Sequence, residues 1–117
     1  MKMKQVPALG VELSAVGFGC WAAGGSIVWN GADDAMTIRT IQRGMDLGIN
    51  FFDVAPVYGF GHAEITLGRA LGNRRSQVVI GSKCGLRWDD AHTIVNNLRP
   101  ESIRQEIDES LRRLQTD

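Results

Sequence analysis

The stretch that decides the fold lies at residues 48–59 and reads GINFFDVAPVYG. Its glycine suits the end of a preceding helix, and residues 49–53 form an apolar run closed by Asp53. Pro56 and Gly59 then mark a loop. The stretch therefore predicts a buried strand that enters from a helix and opens into a loop.

The elements before this strand follow the same alternation. The sequence predicts a hairpin over residues 6–13, a short strand over 14–19, a glycine-rich loop over 22–32 and a helix that begins at Asp33 or Asp34. The elements after it are predicted as a helix over 63–71, a strand over 78–83, a long loop over 85–98 and a helix from Pro100. This order is typical of a parallel sheet with helical crossovers.

The last helix carries two distinct faces. One apolar stripe is predicted to be buried, formed by Ile103, Ile107, Leu111 and Leu114. The opposite face holds acid-to-base pairs at i,i+4 and is predicted to be solvated: Asp108 with Arg112 and Glu109 with Arg113.

Composition and charge narrow the class of protein. Thirteen basic residues balance thirteen acidic ones, and 44% of the 117 residues are apolar. This balance is typical of a globular domain and argues against nucleic acid or an anionic membrane as partner. No apolar run follows residues 1–5 as in a signal peptide, and none reaches the roughly 20 residues of a membrane span. We expect a cytoplasmic protein with a small-molecule partner.

The two cysteines, Cys20 and Cys84, lie far apart and outside any metal-ligand spacing, so no metal site is predicted. Free thiols in a reducing compartment are the plain interpretation. Because each cysteine follows a predicted strand, a redox role near the site stays open as an alternative.

Charged residues close two of the predicted strands, Asp53 and Lys83. Parallel strands end at one rim, and an unpaired buried charge is costly, so these two side chains are predicted to pair. Tyr58, the only tyrosine, follows on the same rim. An ammonium stabilises a nearby phenolate, which makes the phenol a competent proton donor. A structural ion pair beside a chemically idle tyrosine fits the same pattern.

Residues 48–59, with Glu64 and residues 67–68, resemble the signature G-x-N-x-x-D-T-A-x-x-Y-G…E-x-x-L-G of the aldo-keto reductases. Residues 16–21 (VGFGCW) resemble that family's first-strand element, residues 80–83 (IGSK) its lysine strand, and residues 100–117 the helix before its fourth strand. The resemblance implies an α/β fold, the N-terminal part of a (β/α)8 TIM barrel with a hairpin and about three βα units. Residues 1–117 would form one truncated domain, since a complete barrel needs about 250 residues.

The resemblance also implies a reaction, the reduction of aldehydes or ketones to alcohols by hydride transfer. NADPH is the family's usual cofactor, and NADH is possible. Tyr58 would donate the proton, Lys83 would stabilise the resulting anion, and Asp53 would hold and polarise Lys83.

Cofactor contacts are implied at the ends of the first two barrel strands, by Gly19, Cys20, Trp21 and Asp53. Trp29 and Trp88 are plausible contributors from loops, with ordinary packing as the alternative. His62 and His92 match nothing catalytic in the family and are expected on the surface or in loops.

The sequence departs from the family pattern at three positions. Cys20 and Val54 stand where threonine is usual, which removes a hydroxyl at each. Arg99 precedes Pro100 where a capping serine is common, a change that costs about 0.5–2 kcal/mol.

The sequence is compatible with functions other than carbonyl reduction. A non-catalytic regulatory subunit that binds the cofactor on the same fold is the main alternative. Residues 17–22 also match the G-x-G-x-x-G/A dinucleotide fingerprint, but that fingerprint must open a helix and residues 23–26 (AGGS) are unsuited to one, which argues against this fold. The family's catalytic histidine and adenosine-phosphate contacts would lie beyond Asp117. The 117-residue chain alone is therefore expected to be inactive and, with open sheet edges, to self-associate.

Overall fold

A computed structural model describes residues 1–25 and 33–117. Within these ranges the strands are β1 (Met3–Val6), β2 (Val11–Ser14), β3 (Phe18–Gly19), β4 (Phe51–Asp53), β5 (Val79–Gly81), β6 (Leu86–Trp88) and β7 (Ile94–Asn96). The α-helices are α1 (Asp34–Asp46), α2 (His62–Leu71) and α3 (Pro100–Leu114). Short 3-10 turns cover Pro7–Leu9, Ala22–Gly24 and Gly72–Gln77.

The central sheet is parallel and has the order β3-β4-β5. Gly19 pairs with Asp53, and Asp53 pairs with Gly81, so the three strands end in one row. Backbone hydrogen bonds extend the ladder past the strand ends, from Cys20 N to Asp53 O at 2.8 Å and from Val54 N to Gly81 O at 2.9 Å. The predicted common rim is therefore present, but the strand predicted over 78–83 was wrong at its end, because β5 stops at Gly81 and Lys83 lies two residues beyond it.

The predicted hairpin is confirmed and extends further than expected, over β1 and β2 with Gly10 in the left-handed region at φ 63°. The predicted strand over 14–19 was wrong at its start, because Ser14 belongs to β2 and only Phe18–Gly19 joins the parallel sheet. Asn50 connects the hairpin to the sheet. Its side chain accepts from Ser14 N at 2.7 Å and donates to Glu12 O at 2.8 Å.

The core lies between the sheet and helices α1 and α2. It contains Ile41 of α1, Phe52 of β4, and Leu67 and Leu71 of α2, all of them buried. Helix α1 begins as predicted, since the Asp33 carboxylate accepts from Ala35 N at 2.8 Å. These helices cover one face of the sheet and leave its carboxyl rim accessible.

The long loop predicted over residues 85–98 was wrong, because the segment forms an antiparallel hairpin of β6 and β7. Asp89 closes its turn by accepting from Thr93 N at 2.8 Å, and His92 takes a left-handed conformation at φ 62°. The aspartate turn and the β-branched residues 93–95 are the signals that fit this hairpin.

Helix α3 is confirmed, but the predicted burial of its apolar stripe holds only in part: Leu114 is buried, and Ile103 and Leu111 are half-buried. The buried positions are Ser102, Glu106, Ser110 and Leu114, whereas Ile107 is 49% exposed. Small and hydrogen-bonded side chains face inward because α3 lies close to α2: a Cβ on Gly68 would stand 2.9 Å from the backbone oxygens of Arg113 and Leu114. The N-terminus of α3 lacks a side-chain cap at Arg99, as the sequence predicted.

No helix among the described residues is both long and apolar enough to cross a bilayer.

We expect Gly68→Ala to destabilise the fold by about 1–3 kcal/mol, because the added methyl group forces α2 away from α3. The measurement is the urea midpoint of the complete gene product, meaning the whole product of the gene that encodes this chain. Gly19→Ala is the control, since a Cβ there meets nothing within 4 Å. Equal midpoints for the two variants would contradict the close helix contact.

Candidate active site

The rim of the sheet brings together the three residues predicted to carry chemistry. Lys83 Nζ lies 2.8 Å from Asp53 Oδ1 and 5.0 Å from the centroid of the Tyr58 ring. The same ammonium donates to Val54 O at 3.0 Å. The predicted ion pair is thus present, although it is not buried: the Lys83 and Asp53 side chains are 45% and 49% exposed because they stand at the open end of the strands.

The surroundings of Lys83 favour its charged form. Partial desolvation lowers the pKa of Lys83, but hydrogen bonds and charge interactions with Asp53 and Tyr58 outweigh it and raise that pKa above its usual value of 10.5. The ammonium therefore persists across the physiological range beside the phenol.

Two loops meet backbone to backbone next to Tyr58. Gly59 adopts φ 63°, and a Cβ on it would stand 1.9 Å from Gly24 O, so no larger residue fits without separating the loops. This contact brings the Trp21 ring to 6.3 Å from the Tyr58 ring. The glycine that follows the tyrosine thus joins the loop after β3 to the loop after β4.

The predicted cofactor-binding residues divide into two groups. Gly19 is exposed with open space around its Cα, Trp21 is 53% exposed, and Asp53 stands between them and Lys83. Cys20, by contrast, has its side chain fully buried in the core, so only its backbone is available at the rim, and its cofactor contact stays a prediction. The chain turns at Cys20 into the 3-10 turn Ala22–Gly24, which directs that side chain inward.

The two remaining tryptophans differ in what can be said of them. Trp29 lies outside the described residues. Trp88 packs edge-on against Phe60 with ring centroids 5.7 Å apart, and Phe60 stacks on His92 at 4.0 Å. Trp88 therefore packs the β6–β7 hairpin against the Tyr58 loop, in line with the packing interpretation. His62 lies at the start of α2, with Nε2 2.7 Å from Asp34 Oδ1.

Cys20 and Val54 stand where the family usually has threonine. Neither replacement removes a group that takes part in the contacts at the strand rim. Burial is the main cause that raises the pKa of Cys20 to about 12, assisted by the Asp53 charge, so Cys20 remains a protonated core thiol. Val54 is fully buried and serves Lys83 through its backbone carbonyl, which any residue supplies. Both cysteines are free thiols, Cys20 buried and Cys84 exposed. They do not form an accessible pair of thiols, which argues against the alternative of a redox role.

Two buried carboxylates lie near the rim: the sequence interpretation named Glu64 only as part of the family signature and did not name Glu106. Glu64 is fully buried, accepting from Arg113 Nε at 2.6 Å and from Ser82 Oγ at 2.8 Å. Glu106 is almost fully buried and accepts from Gly85 N at 2.9 Å. A signal existed for Glu64, because it lies three residues before the buried Leu67 on the apolar face of α2.

The charged face of α3 was predicted to be solvated, and this holds for Asp108 and Arg112 but not for Glu109 and Arg113, whose predicted pair is present at 3.7 Å. Arg113 is only 17% exposed and lies between Glu64 and Glu109, and Glu109 also binds Arg87 at 2.8 Å. Arg112 reaches the Asp108 backbone oxygen rather than its carboxylate. These ions link α2, α3 and the β6–β7 hairpin, and helix periodicity alone does not show such contacts.

The described residues thus form a parallel α/β segment whose rim brings a lysine–carboxylate pair beside a phenol. The sequence profile of the Aldo/keto reductase family matches residues 15–117. The chain belongs to the aldo-keto reductase family, and its fold is that of part of the family's (β/α)8 barrel.

Relatives and solved structures agree with this assignment. The chain is 41% identical to the NADH-specific methylglyoxal reductase of Escherichia coli over 98% of this chain and 39% of that protein. The holo form of aldo-keto reductase AKR11C1 from Bacillus halodurans aligns with a TM-score of 0.88 and 31% identity, over 100% of this chain and 37% of that one. A Klebsiella pneumoniae aldo-keto reductase in complex with NADPH aligns with a TM-score of 0.74 and 27% identity, over 100% and 37%. The chain therefore spans less than half the length of these relatives.

We expect thiol-alkylating reagents to label Cys84 rapidly in the native protein and Cys20 only after unfolding. Cys20 is buried and its pKa is raised to about 12, so it presents neither access nor thiolate. Peptide mass spectrometry of the complete gene product, with and without denaturant, measures both rates. Rapid native labelling of Cys20 would show that the loop after β3 opens.

Proposed function

We propose that the complete gene product reduces small aldehydes or ketones to alcohols with a reduced nicotinamide cofactor, and that Tyr58 is its proton donor. The observation that carries this proposal is the position of Lys83 Nζ, 2.8 Å from Asp53 Oδ1 and 5.0 Å from the Tyr58 ring centroid. A structural ion pair does not require a phenol in this position, whereas a phenol that donates its proton is assisted by a nearby cation, which stabilises the phenolate.

The residues at the rim fit the nicotinamide half of such a cofactor. Gly19 offers open space at the end of β3, and the exposed Trp21 ring lies 6.3 Å from the Tyr58 ring. We assign the nicotinamide contacts to Gly19, Trp21 and Asp53. When bound, the reduced nicotinamide supplies the hydride that adds to the carbonyl carbon.

Tyr58 then completes the reaction by giving its phenolic proton to the carbonyl oxygen, which becomes the hydroxyl of the alcohol. The Lys83 ammonium stabilises the phenolate left behind, because an opposite charge at this distance favours the anion. Asp53 holds Lys83 in place and keeps it protonated. A solvent proton restores the phenol before the next turnover.

Both forms of the cofactor remain within the proposal. The Escherichia coli relative is named as NADH-specific, and the Klebsiella pneumoniae structure contains NADPH. NADPH is the first choice to test because it is the family's usual cofactor, and kcat/KM measured with each cofactor decides between them.

We expect Tyr58→Phe to lower kcat by about 10²–10⁴-fold, the usual contribution of a positioned proton donor, without weakening cofactor binding. The assay follows carbonyl-dependent oxidation of NADPH and NADH by the complete gene product, with methylglyoxal among the substrates. We expect the kcat of Lys83→Met to fall by a similar factor. Lys4→Met, on the exposed strand β1, is its matched control.

Two outcomes would contradict the proposal. Unchanged turnover in Tyr58→Phe would remove the tyrosine from the mechanism. Cofactor binding by the wild-type protein without turnover of any carbonyl would instead indicate the non-catalytic regulatory subunit.

We expect Asp53→Asn to move the alkaline limb of the kcat/KM profile to lower pH. The pKa of Lys83 is raised in the folded protein by Asp53 and Tyr58, so the ammonium survives to higher pH than usual. Removing the carboxylate lowers that pKa, and the cation that stabilises the phenolate is lost earlier as pH rises. An alkaline limb that does not move would show that Lys83 is not the group that titrates there.

A further inference from the structure

The backbone that carries Lys83 lies beyond the last paired residue of the sheet. Strand β5 ends at Gly81, and residues 82–84 belong to no strand or helix. The ammonium group nevertheless has to meet Asp53 and Tyr58 at close range. Some other interaction must fix the backbone that carries it.

The N-terminal side of this segment is bound by Glu64 of α2. Its Oε1 accepts from Ser82 Oγ at 2.8 Å, one residue before the lysine. Its Oε2 accepts from Arg113 Nε at 2.6 Å, so the carboxylate is itself held between two helices. Glu64 has no exposed surface, and its position is set by the packing of α2 in the core.

The C-terminal side is bound by Glu106 of α3. Its Oε2 accepts from the backbone N–H of Gly85 at 2.9 Å, two residues after the lysine, in a fully buried hydrogen bond. Its Oε1 accepts from Ser102 Oγ at 3.3 Å. Glu106 also borders a pocket of about 220 Å³ whose wall includes Tyr58 and Lys83.

Burying a carboxylate is costly, and hydrophobic residues of the same size often give equal stability. Two such carboxylates on different helices both bind the segment 82–85, one on each side of Lys83. A contribution to stability does not by itself explain why both carboxylates bind the same segment. A role in placing Lys83 does explain it.

We propose that Glu64 and Glu106 are positioning residues that anchor the two ends of segment 82–85 and thereby hold Lys83 Nζ against Asp53 and Tyr58. This role rests on the proposed function, since it acts through Lys83. Neither carboxylate touches the reacting atoms.

The main test replaces Glu106 in the complete gene product in two ways. Glu106→Met keeps the length of the side chain but removes the acceptor, while Glu106→Gln retains a carbonyl oxygen for Gly85 N–H. We expect Glu106→Met to lower kcat by roughly tenfold to a hundredfold with little change in KM, as for a displaced catalytic group. The alkaline limb of the kcat/KM profile of Glu106→Met should move to lower pH, as in Asp53→Asn. Glu106→Gln should restore most of the lost kcat and most of the shift of the limb.

Glu109→Gln is the matched control, because Glu109 lies on the same helix and binds Arg87 and Arg113 but is not bonded to segment 82–85. We expect Glu109→Gln to leave the pH profile of kcat/KM unchanged even where it lowers the stability of the protein. Ser82→Ala probes the other anchor. Since Ser82 is exposed and water can replace its hydroxyl, we expect a several-fold smaller effect of the same kind, restored in Ser82→Thr.

The outcomes separate this role from the proposed function. If Tyr58→Phe abolishes turnover while Glu106→Met keeps the wild-type kcat and pH profile, only the positioning role is overturned. If Tyr58→Phe also keeps full turnover, the proposed function fails. Should Glu106→Met not fold, Ser82→Ala decides the matter: an unmoved alkaline limb overturns the positioning role.

Discussion

The ion pair between Lys83 and Asp53 is the contact on which the candidate site depends. It exists because β4 and β5 run parallel with Asp53 opposite Gly81, so that a lysine two residues further along can turn back toward the carboxylate. A shift of one residue in this register would send the alternating side chains to the opposite face of the sheet. The chemistry of the rim is therefore a consequence of strand pairing.

Around this pair, the loops are joined by contacts that need particular residues. Gly24 and Gly59 allow two backbones to touch, and this brings Trp21 toward Tyr58. Phe60 extends the same loop to the β6–β7 hairpin through its stack on His92. The rim is thus bordered by segments that pack on one another, with the described helices below them.

Much of this arrangement could be predicted from the sequence. The positions of β4, α1 and α2 follow from local periodicity, capping and glycine stops, which act within a few residues. The meeting of Asp53 and Lys83 followed from one further step, the shared direction of parallel strands. The β6–β7 hairpin was missed because its strands, LRW and IVN, are largely exposed and lack the apolar run that marks β4 and β5.

The sequence by itself determined the alternation of strands and helices apart from the β6–β7 hairpin, the charged residues near the strand ends and the family. Only the tertiary structure decided that Cys20 faces the core, that Glu64 and Glu106 reach the lysine segment, and that Arg113 lies between two carboxylates. The physical reason is range: propensity and periodicity report on neighbours along the chain. Burial and ion pairing depend on groups from different helices, whose approach is set by how the helices pack.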